Sequence, residues 1–370
     1  MTRGLILVTG SAGTVGRYVV GELLAQGFSV RATDIACSGG EFALTNGNYS
    51  YERGDLTDEE FVKKITDGVE AVINLAAVID VALPWNKVAP INLDAVGTLY
   101  WHASEAGAKI FVHASSGSIY APTNKLRSED SRIKNKEEAS PYEWSKILSE
   151  RRLHLDRAAR KINGQKAAEI VIIRPALIYG PGNRFLAAVY LAIAIMLHEL
   201  CGNHAPLLKG GPKTNMVHAE DVARAAVFCM QSAAAWGHTF NVADDDPLGF
   251  GDQVTAMAHG FGFKTEGPMI PLPGPGIIGL ASPVYNRTAI LALFNKVLGF
   301  EWGRIGKAHG IKPPFEPSLN TGMTPFFGNH TIFGNQKLKD AGFKFKHPRF
   351  AEGFRGVAKW YQDNGWAPKP

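Results

Sequence analysis

The sequence predicts an α/β fold, a doubly wound parallel sheet with a smaller, mostly helical C-terminal lobe over the substrate. Short apolar runs rich in β-branched residues alternate with helix-period segments through the first half, the pattern of βαβ units. The first run ends in Gly10, Gly13 and Gly16, spaced for a phosphate-binding turn. A length of 370 residues, 45% hydrophobic and 20% charged, leaves room for one large domain and a second lobe.

Taken in order, "GLILVTG" is the first strand, a helix runs from about Val15 to Gln26, and "FSVRATD" is the second strand. A third strand precedes "RGDLTD"; "AVINLAA", "KIFVHASS" and "EIVIIRPA" are the next three, with a helix opening at "SPYEWSK" before the last. After Pro175 the pattern loosens into Pro- and Gly-rich connections around two apolar segments, 185–200 and 275–300. We read 1–175 as the nucleotide-binding core, with 213–245 returning to it, and 176–370 as mainly the substrate lobe. Residues 303–322 read as a loop, and "NQKLKDAGFKF" and "FAEGFRGVAKWYQDNGW" as two closing helices.

Composition excludes several classes. The apolar run near the N-terminus breaks at Gly10 with no small-residue cleavage site after it, so a cytoplasmic protein is expected. Cys37, Cys201 and Cys229 show no paired spacing, which argues against a disulfide framework and against zinc; no metal is expected. The net charge of +5 is spread along the chain without an arginine-rich run, so no nucleic-acid partner is expected. The run Phe185–Leu197 falls short of the ~20 residues of a membrane span and reads as a buried or interfacial helix.

In "LVTGSAGTVGRYVV" the glycines allow a tight turn, close approach of backbone N–H groups to a pyrophosphate and close helix–strand packing. Thr14 and Val15 are expected to line the same turn. Asp34 closes the second strand about twenty residues on, placed to accept hydrogen bonds from ribose hydroxyls and to repel a 2′-phosphate. NAD is therefore expected over NADP; the alternative for Asp34 is an ordinary strand-end acid. Asp55 and Leu56 follow the third strand, suited to the adenine edge, and Ala76 and Ala77 keep the end of the fourth strand free of bulk.

In "ASPYEWSKILSE", Tyr142 lies one helical turn before Lys146, on the same face. A tyrosine titrates near 10, and a neighbouring cation lowers that value toward working pH, as acid–base chemistry requires. Ser140 and Pro141 set the helix start. These motifs, with "HASSGSIYA", "RPALIYGPGN" and "NMVHAEDVARA", are similar in order and spacing to the extended short-chain dehydrogenase/reductase family over roughly residues 4–245. The resemblance implies a Rossmann-type fold with bound NAD. It makes Ser116 the group that holds the substrate oxygen, Tyr142 the base and Lys146 its partner on the nicotinamide ribose, with Pro175 supporting the nicotinamide. Ser115 and Ser118 are the runners-up to Ser116. One departure is Asp94, which stands where the family has an asparagine; we read it as a polar helix-face residue, with Asn92 pointing elsewhere.

The resemblance also bears on substrate. Sugar-nucleotide enzymes of the family carry an arginine that grips a diphosphate, whereas here the run is "GGPKTNMVHAED", with Lys213 as a point charge only. Apolar lobe segments then favour NAD-dependent oxidation of a hydrophobic, sterol-like secondary alcohol, with decarboxylation following if the product is a β-keto acid. The alternatives are an NAD-retaining sugar-nucleotide epimerase or dehydratase, and a non-catalytic NAD-sensing protein. Expected partners are a hydrophobic small molecule, a membrane surface and a second copy in a homodimer. The membrane expectation comes from Ile277–Phe300, broken by Pro283, Asn286 and Arg287, with Arg304, Lys307 and Lys312 downstream to face anionic headgroups. The alternative is that this helix covers the substrate pocket.

Overall fold

The computed structural model describes residues 3–36, 47–184, 186–275, 288–311, 316–318 and 329–369. The strands are β1 Arg3–Thr9, β2 Phe28–Asp34, β3 Tyr49–Arg53, β4 Ala71–Asn74, β5 Ile110–Ala114, β6 Glu169–Pro175, β7 Leu177–Tyr179, β8 Leu207–Gly210, β9 Lys213–Thr214, β10 Met216–His218, β11 Thr239–Val242, β12 Leu248–Gly249 and β13 Met269–Leu272. Seven of them form one sheet in the order β11-β6-β5-β4-β1-β2-β3, every pairing parallel. The order reverses between β1 and β4, so a crevice opens there at the C-terminal strand ends, where such sheets take their ligands.

Period-two alternation sorts each strand's side chains onto two faces. Ile6, Val8, Ile73, Val112 and Ile173 join one core under helices α1 Gly16–Ala25 and α7 Ala219–Gln231. Leu7, Val72, Phe111 and Ile172 join the other, under α2 Glu59–Thr66, α4 Ala95–Glu105 and α5 Pro141–Ile162. The short α3 Trp85–Ala89 runs into a π-helical turn, Pro90–Asp94, ahead of α4.

The lobe has its own core. Tyr190, Leu191 and Ile195 of α6 Leu186–Cys201 pack against Val254 and Met257 of α8 Phe250–Gly260, Leu298, Trp302 and Ile305 of α9 Thr288–His309, and Phe354 and Val357 of the last helix. The apolar run of α6 is thus buried packing, as its length implied. Helix α9 continues to His309 although the sequence suggested a loop from 303, because Ile305 sits at 1% exposure in this core and holds the last turn. Residues 276–287 of the expected anchor, Lys312 and Cys37 lie outside the described residues; Cys201 and Cys229 are free.

The chain's end does not all cover the lobe. Residues 329–343 return to the sheet, pairing Phe333 with Arg127 and Thr331 with Thr214, and carrying α10 Gln336–Asp340 onto β11. Phe333, Leu338 and Phe343 enter the sheet's core, covering the edge that β11 would otherwise expose. Helix α11 Phe350–Asp363 closes the lobe, against α8.

Candidate functional site

The glycine turn lies at the end of β1. Gly10 has φ 67°, in the left-handed region, and accepts from the Gly13 amide at 3.1 Å. A Cβ on Gly10 would lie 2.8 Å from the Ala76 nitrogen, and one on Gly16 would strike the Gly10 carbonyl, so β1, β4 and α1 meet here at backbone contact. Gly13 is exposed, leaving its backbone open to a ligand. Thr14 and Val15 are half-buried; Val15 packs its side chain on the core and offers the loop only its backbone.

Asp34 stands at the end of β2 beside this turn, accepting from the amides of Ala12 at 3.0 Å and Ala36 at 3.1 Å. Each carboxylate oxygen retains a lone pair for a further donor. Arg53 is its neighbour across β3, with Nε donating to the Ile35 carbonyl at 2.9 Å. The next pair divides: Asp55 is exposed and accepts from Thr57 N at 2.9 Å, while the Leu56 side chain is buried in the core. Ala76 and Ala77 are half-buried just past β4, in the crevice.

The second cluster forms where β5, β6 and α5 converge. Ser140 caps α5 with a reciprocal bond from Glu143, and Pro141 occupies the first turn, so Tyr142 emerges at the helix start as expected. Ser116, just past β5, shares a 2.9 Å hydrogen bond with Ser118 and is also the hydrogen-bond partner of the Tyr142 hydroxyl. The Ser115 hydroxyl is instead buried without a partner among the described residues. Pro175 ends β6, its carbonyl 3.0 Å from where a Cβ on Gly117 would sit, which seats it against the serine loop.

In the protein alone, electrostatics run opposite to the lysine-lowered tyrosine expected from spacing. Burial pushes Tyr142 up to about 12; the Ser116 bond opposes this and the Glu143 charge adds to it. Lys146 is 2% exposed, and its Nζ donates to the Ala114 carbonyl at 2.7 Å. Burial pulls it down to about 8, against the favourable charge of Glu150.

Asn92 corrects the sequence reading. The π-helical turn resets the helix phase, so Asn92 points inward at 0% exposure. It bonds Val78 in both directions, at 2.8 and 2.9 Å, and donates to Ser145 at 3.1 Å, while Asp94 faces solvent. A five-residue turn is invisible to a 3.6-residue period, which is why spacing misplaced it. Pairing of Arg174 with Glu150, bidentate at 2.9 and 2.6 Å, was also missed, although Glu150 lies one turn past Lys146.

A shallow, open cleft adjoins the serine loop, lined by Gly117, Ser118, Arg127, Lys134 and Glu143 among others. Its exposed lining is mainly apolar, with Tyr120 and Pro122 beside the Lys134–Glu143 pair at 2.7 Å. On the neighbouring strand Lys213 is exposed, while Thr214 and Asn215 are buried and bonded to backbone carbonyls. His218, Glu220 and His347 have the spacing of metal ligands, but Lys346 already holds one Glu220 oxygen at 2.6 Å and His347 the other at 3.0 Å.

A parallel sheet with a glycine turn and an acid at its switch point, and a Ser–Tyr–Lys group beyond it, defines a dinucleotide-dependent enzyme fold. Residues 6–243 match the model of the NAD dependent epimerase/dehydratase family. The chain belongs to that family, among the extended short-chain dehydrogenases/reductases, and is an NAD-dependent enzyme. It is similar to a 3 beta-hydroxysteroid dehydrogenase/Delta 5-->4-isomerase of Mycobacterium tuberculosis, 23% identical over 74% of this chain and 73% of that one. It is also similar to a decarboxylating sterol-4-alpha-carboxylate 3-dehydrogenase of Mus musculus, 25% identical over 71% and 70%. In fold it resembles UDP-glucose 4-epimerase of Thermotoga maritima, solved with UDP-glucose, at TM-score 0.67 and 20% identity over 97% and 99% of the two chains.

Proposed function

We propose that this enzyme oxidises a secondary alcohol, or reduces the ketone, on a hydrophobic, sterol-like substrate. In this reading Ser116 holds the substrate oxygen, Tyr142 takes its proton and Lys146 stabilises the resulting tyrosinate. NAD, when bound, supplies the hydride acceptor. Gly10, Gly13, Thr14, Val15 and Gly16 would cradle its pyrophosphate, Asp34 its ribose and Asp55 with the Leu56 backbone its adenine. Ala76, Ala77 and Pro175 would flank the rest. The turn fits: Gly10 takes a left-handed φ of 67°, Gly16 packs on the Gly10 carbonyl with no room for a side chain, and Gly13 leaves its backbone exposed. The domain division at 175, with 213–245 returning, is part of the same proposal.

The observation that supports the substrate class is that the run around Lys213 holds no arginine to grip a diphosphate: Lys213 is exposed as a point charge, and Thr214 and Asn215 are buried and bonded to backbone carbonyls. The 3β-hydroxysteroid and sterol names of the relatives agree. The cations Arg127 and Lys134 in the cleft beside the serine loop favour the second reading, an NAD-retaining epimerase or dehydratase on a sugar nucleotide. A panel of 3β-hydroxysteroids and UDP-sugars with NADH absorbance tests this: NADH from the steroid supports the first reading, and sugar conversion without net NADH supports the second.

For partners, we propose that α9 rests on an anionic membrane surface. It carries Leu298, Trp302 and Ile305 into the lobe core, yet exposes Leu293, Val297 and Phe300 on the opposite face beside Lys296, Arg304 and Lys307. Among the described residues no helix is long and apolar enough to cross a membrane. Exposed Trp101 on α4 and Leu155 on the adjoining α5 support a homodimer through that layer.

A further inference from the structure

Five polar groups, four of them buried side chains, run in a line from the nucleotide crevice to Lys146. The Ala76 amide lies 3.3 Å from Thr9 Oγ1, and Thr9 Oγ1 lies 2.6 Å from Asn74 Oδ1. Asn74 Nδ2 is 3.2 Å from His113 Nδ1, His113 Nε2 is 3.0 Å from Ser149 Oγ, and Ser149 Oγ donates to the Lys146 carbonyl at 2.9 Å. Thr9 and Asn74 are at most 1% exposed, and His113 and Ser149 are fully buried.

One assignment of protons satisfies every link. An amide nitrogen can only donate, so His113 Nδ1 accepts from Asn74. The ring's proton is then on Nε2, donated to Ser149, whose own proton goes to the Lys146 carbonyl. Every donor points the same way, from Ala76 toward α5. His113 is also the residue before Ala114, whose carbonyl holds Lys146 Nζ. The chain therefore grips Lys146 at both ends, by its backbone through Ser149 and by its ammonium through Ala114.

We infer that His113 is a positioning residue, a neutral Nε2–H imidazole that sets α5 against β4 and β5 and so fixes where Tyr142 and Lys146 meet the cofactor crevice. Burial and the Lys146 charge both hold its pKa well below the ordinary histidine range, which keeps the ring neutral. The alternative is a histidine that only fills space between strand and helix. A phenylalanine would fill that space nearly as well, but it would leave Asn74 Nδ2 without an acceptor and the Ser149 oxygen without a donor, cutting the link from β4 and β5 to α5 and freeing the helix to shift. Misplacement by about 1 Å costs on the order of 10²-fold in rate. A glutamine can reproduce both links, its oxygen accepting from Asn74 and its nitrogen donating to Ser149.

The inference rests on the roles proposed above for Tyr142 and Lys146, so Lys146→Met is measured alongside. ¹⁵N NMR of the imidazole rings in the full-length protein needs no substrate. It should show His113 neutral with its proton on Nε2 from pH 5.5 to 8, and a proton on Nδ1, or a ring that titrates in that range, overturns the inference. On the substrate found by the panel, His113→Phe and Ser149→Ala should lower kcat by about ten- to a hundredfold, with KM for NAD within threefold. His113→Gln should recover to within about threefold of the parent. Should His113→Phe fail to fold, Ser149→Ala carries the test. Parent-like kcat in Ser149→Ala, or no recovery in a folded His113→Gln, would refute positioning while an inactive Lys146→Met left the catalytic reading intact. An active Lys146→Met would instead remove the catalytic reading itself.

Discussion

Lys146→Met separates catalysis from stability. Tyr142 and Lys146 are one turn apart on α5, a spacing that puts Cβ atoms about 6 Å apart. An ammonium brought within about 6 Å of the tyrosinate oxygen would be worth about 3 kcal/mol at an effective dielectric of about 20, roughly two pKa units. Because burial already holds Tyr142 near 12, the variant should lose about a hundredfold in kcat/KM at neutral pH and regain rate as pH rises. Stability should move the other way. Folding lowers Lys146 from 10.5 to about 8, so between these values the unfolded chain binds more protons and the parent's stability rises with pH. At pH 7 the buried ammonium costs roughly 3 kcal/mol, against about 1.5–3 kcal/mol for its hydrogen bond to Ala114. The methionine variant should therefore melt at or above the parent's Tm at pH 7. Thermal scans at pH 7 and 9.5 with a pH–rate profile check this. Parent-like activity, or a clear drop in Tm at pH 7, would refute the reasoning.

Tyr142→Phe should retain NAD binding in a fluorescence titration and lose about 10²–10⁴-fold in turnover, since the ring still packs and only the proton-transferring oxygen is gone. Parent-like turnover would make it a packing residue. NAD should bind at least ~10-fold more tightly than NADP, because a phosphate dianion beside Asp34 costs more than ~1.4 kcal/mol; Asp34→Ser should narrow the gap, Arg53 lying next to it. Equal parent affinities would undo the role of Asp34. Protein floated with phosphatidylserine vesicles at low salt should rise with them, and Phe300→Ser should stay behind; failure of the parent to float removes the membrane proposal and leaves the catalytic one.

Most of the sheet was legible because its strands are buried on both faces and read as apolar runs, from "LILV" in β1 to "IVII" in β6. The glycine turn and Asp34 were legible because backbone approach and a strand-end acid demand particular residue types at fixed spacing. What escaped was set by tertiary context. Asn92 was misplaced by a π-helical turn. The segment carrying Phe333 looked like part of the lobe because nothing in its own sequence says that β11 needs covering. The Thr9–Asn74–His113–Ser149 line joins residues up to 65 positions apart in a single link, beyond the reach of any local pattern. Tyr142 and Lys146 were singled out by spacing, but spacing does not report burial, which in the protein alone pushes the tyrosine up and the lysine down.

Oxidation of an apolar alcohol by hydride transfer to NAD leaves a signature that an epimerase does not, net NADH. Purified protein incubated with NAD and a 3β-hydroxysteroid, and in parallel with NAD and UDP-glucose, tests it directly by absorbance and product analysis. NADH should accumulate in step with steroid ketone, with no reaction of UDP-glucose. An unreactive steroid, with UDP-glucose epimerised and no net NADH, would contradict it.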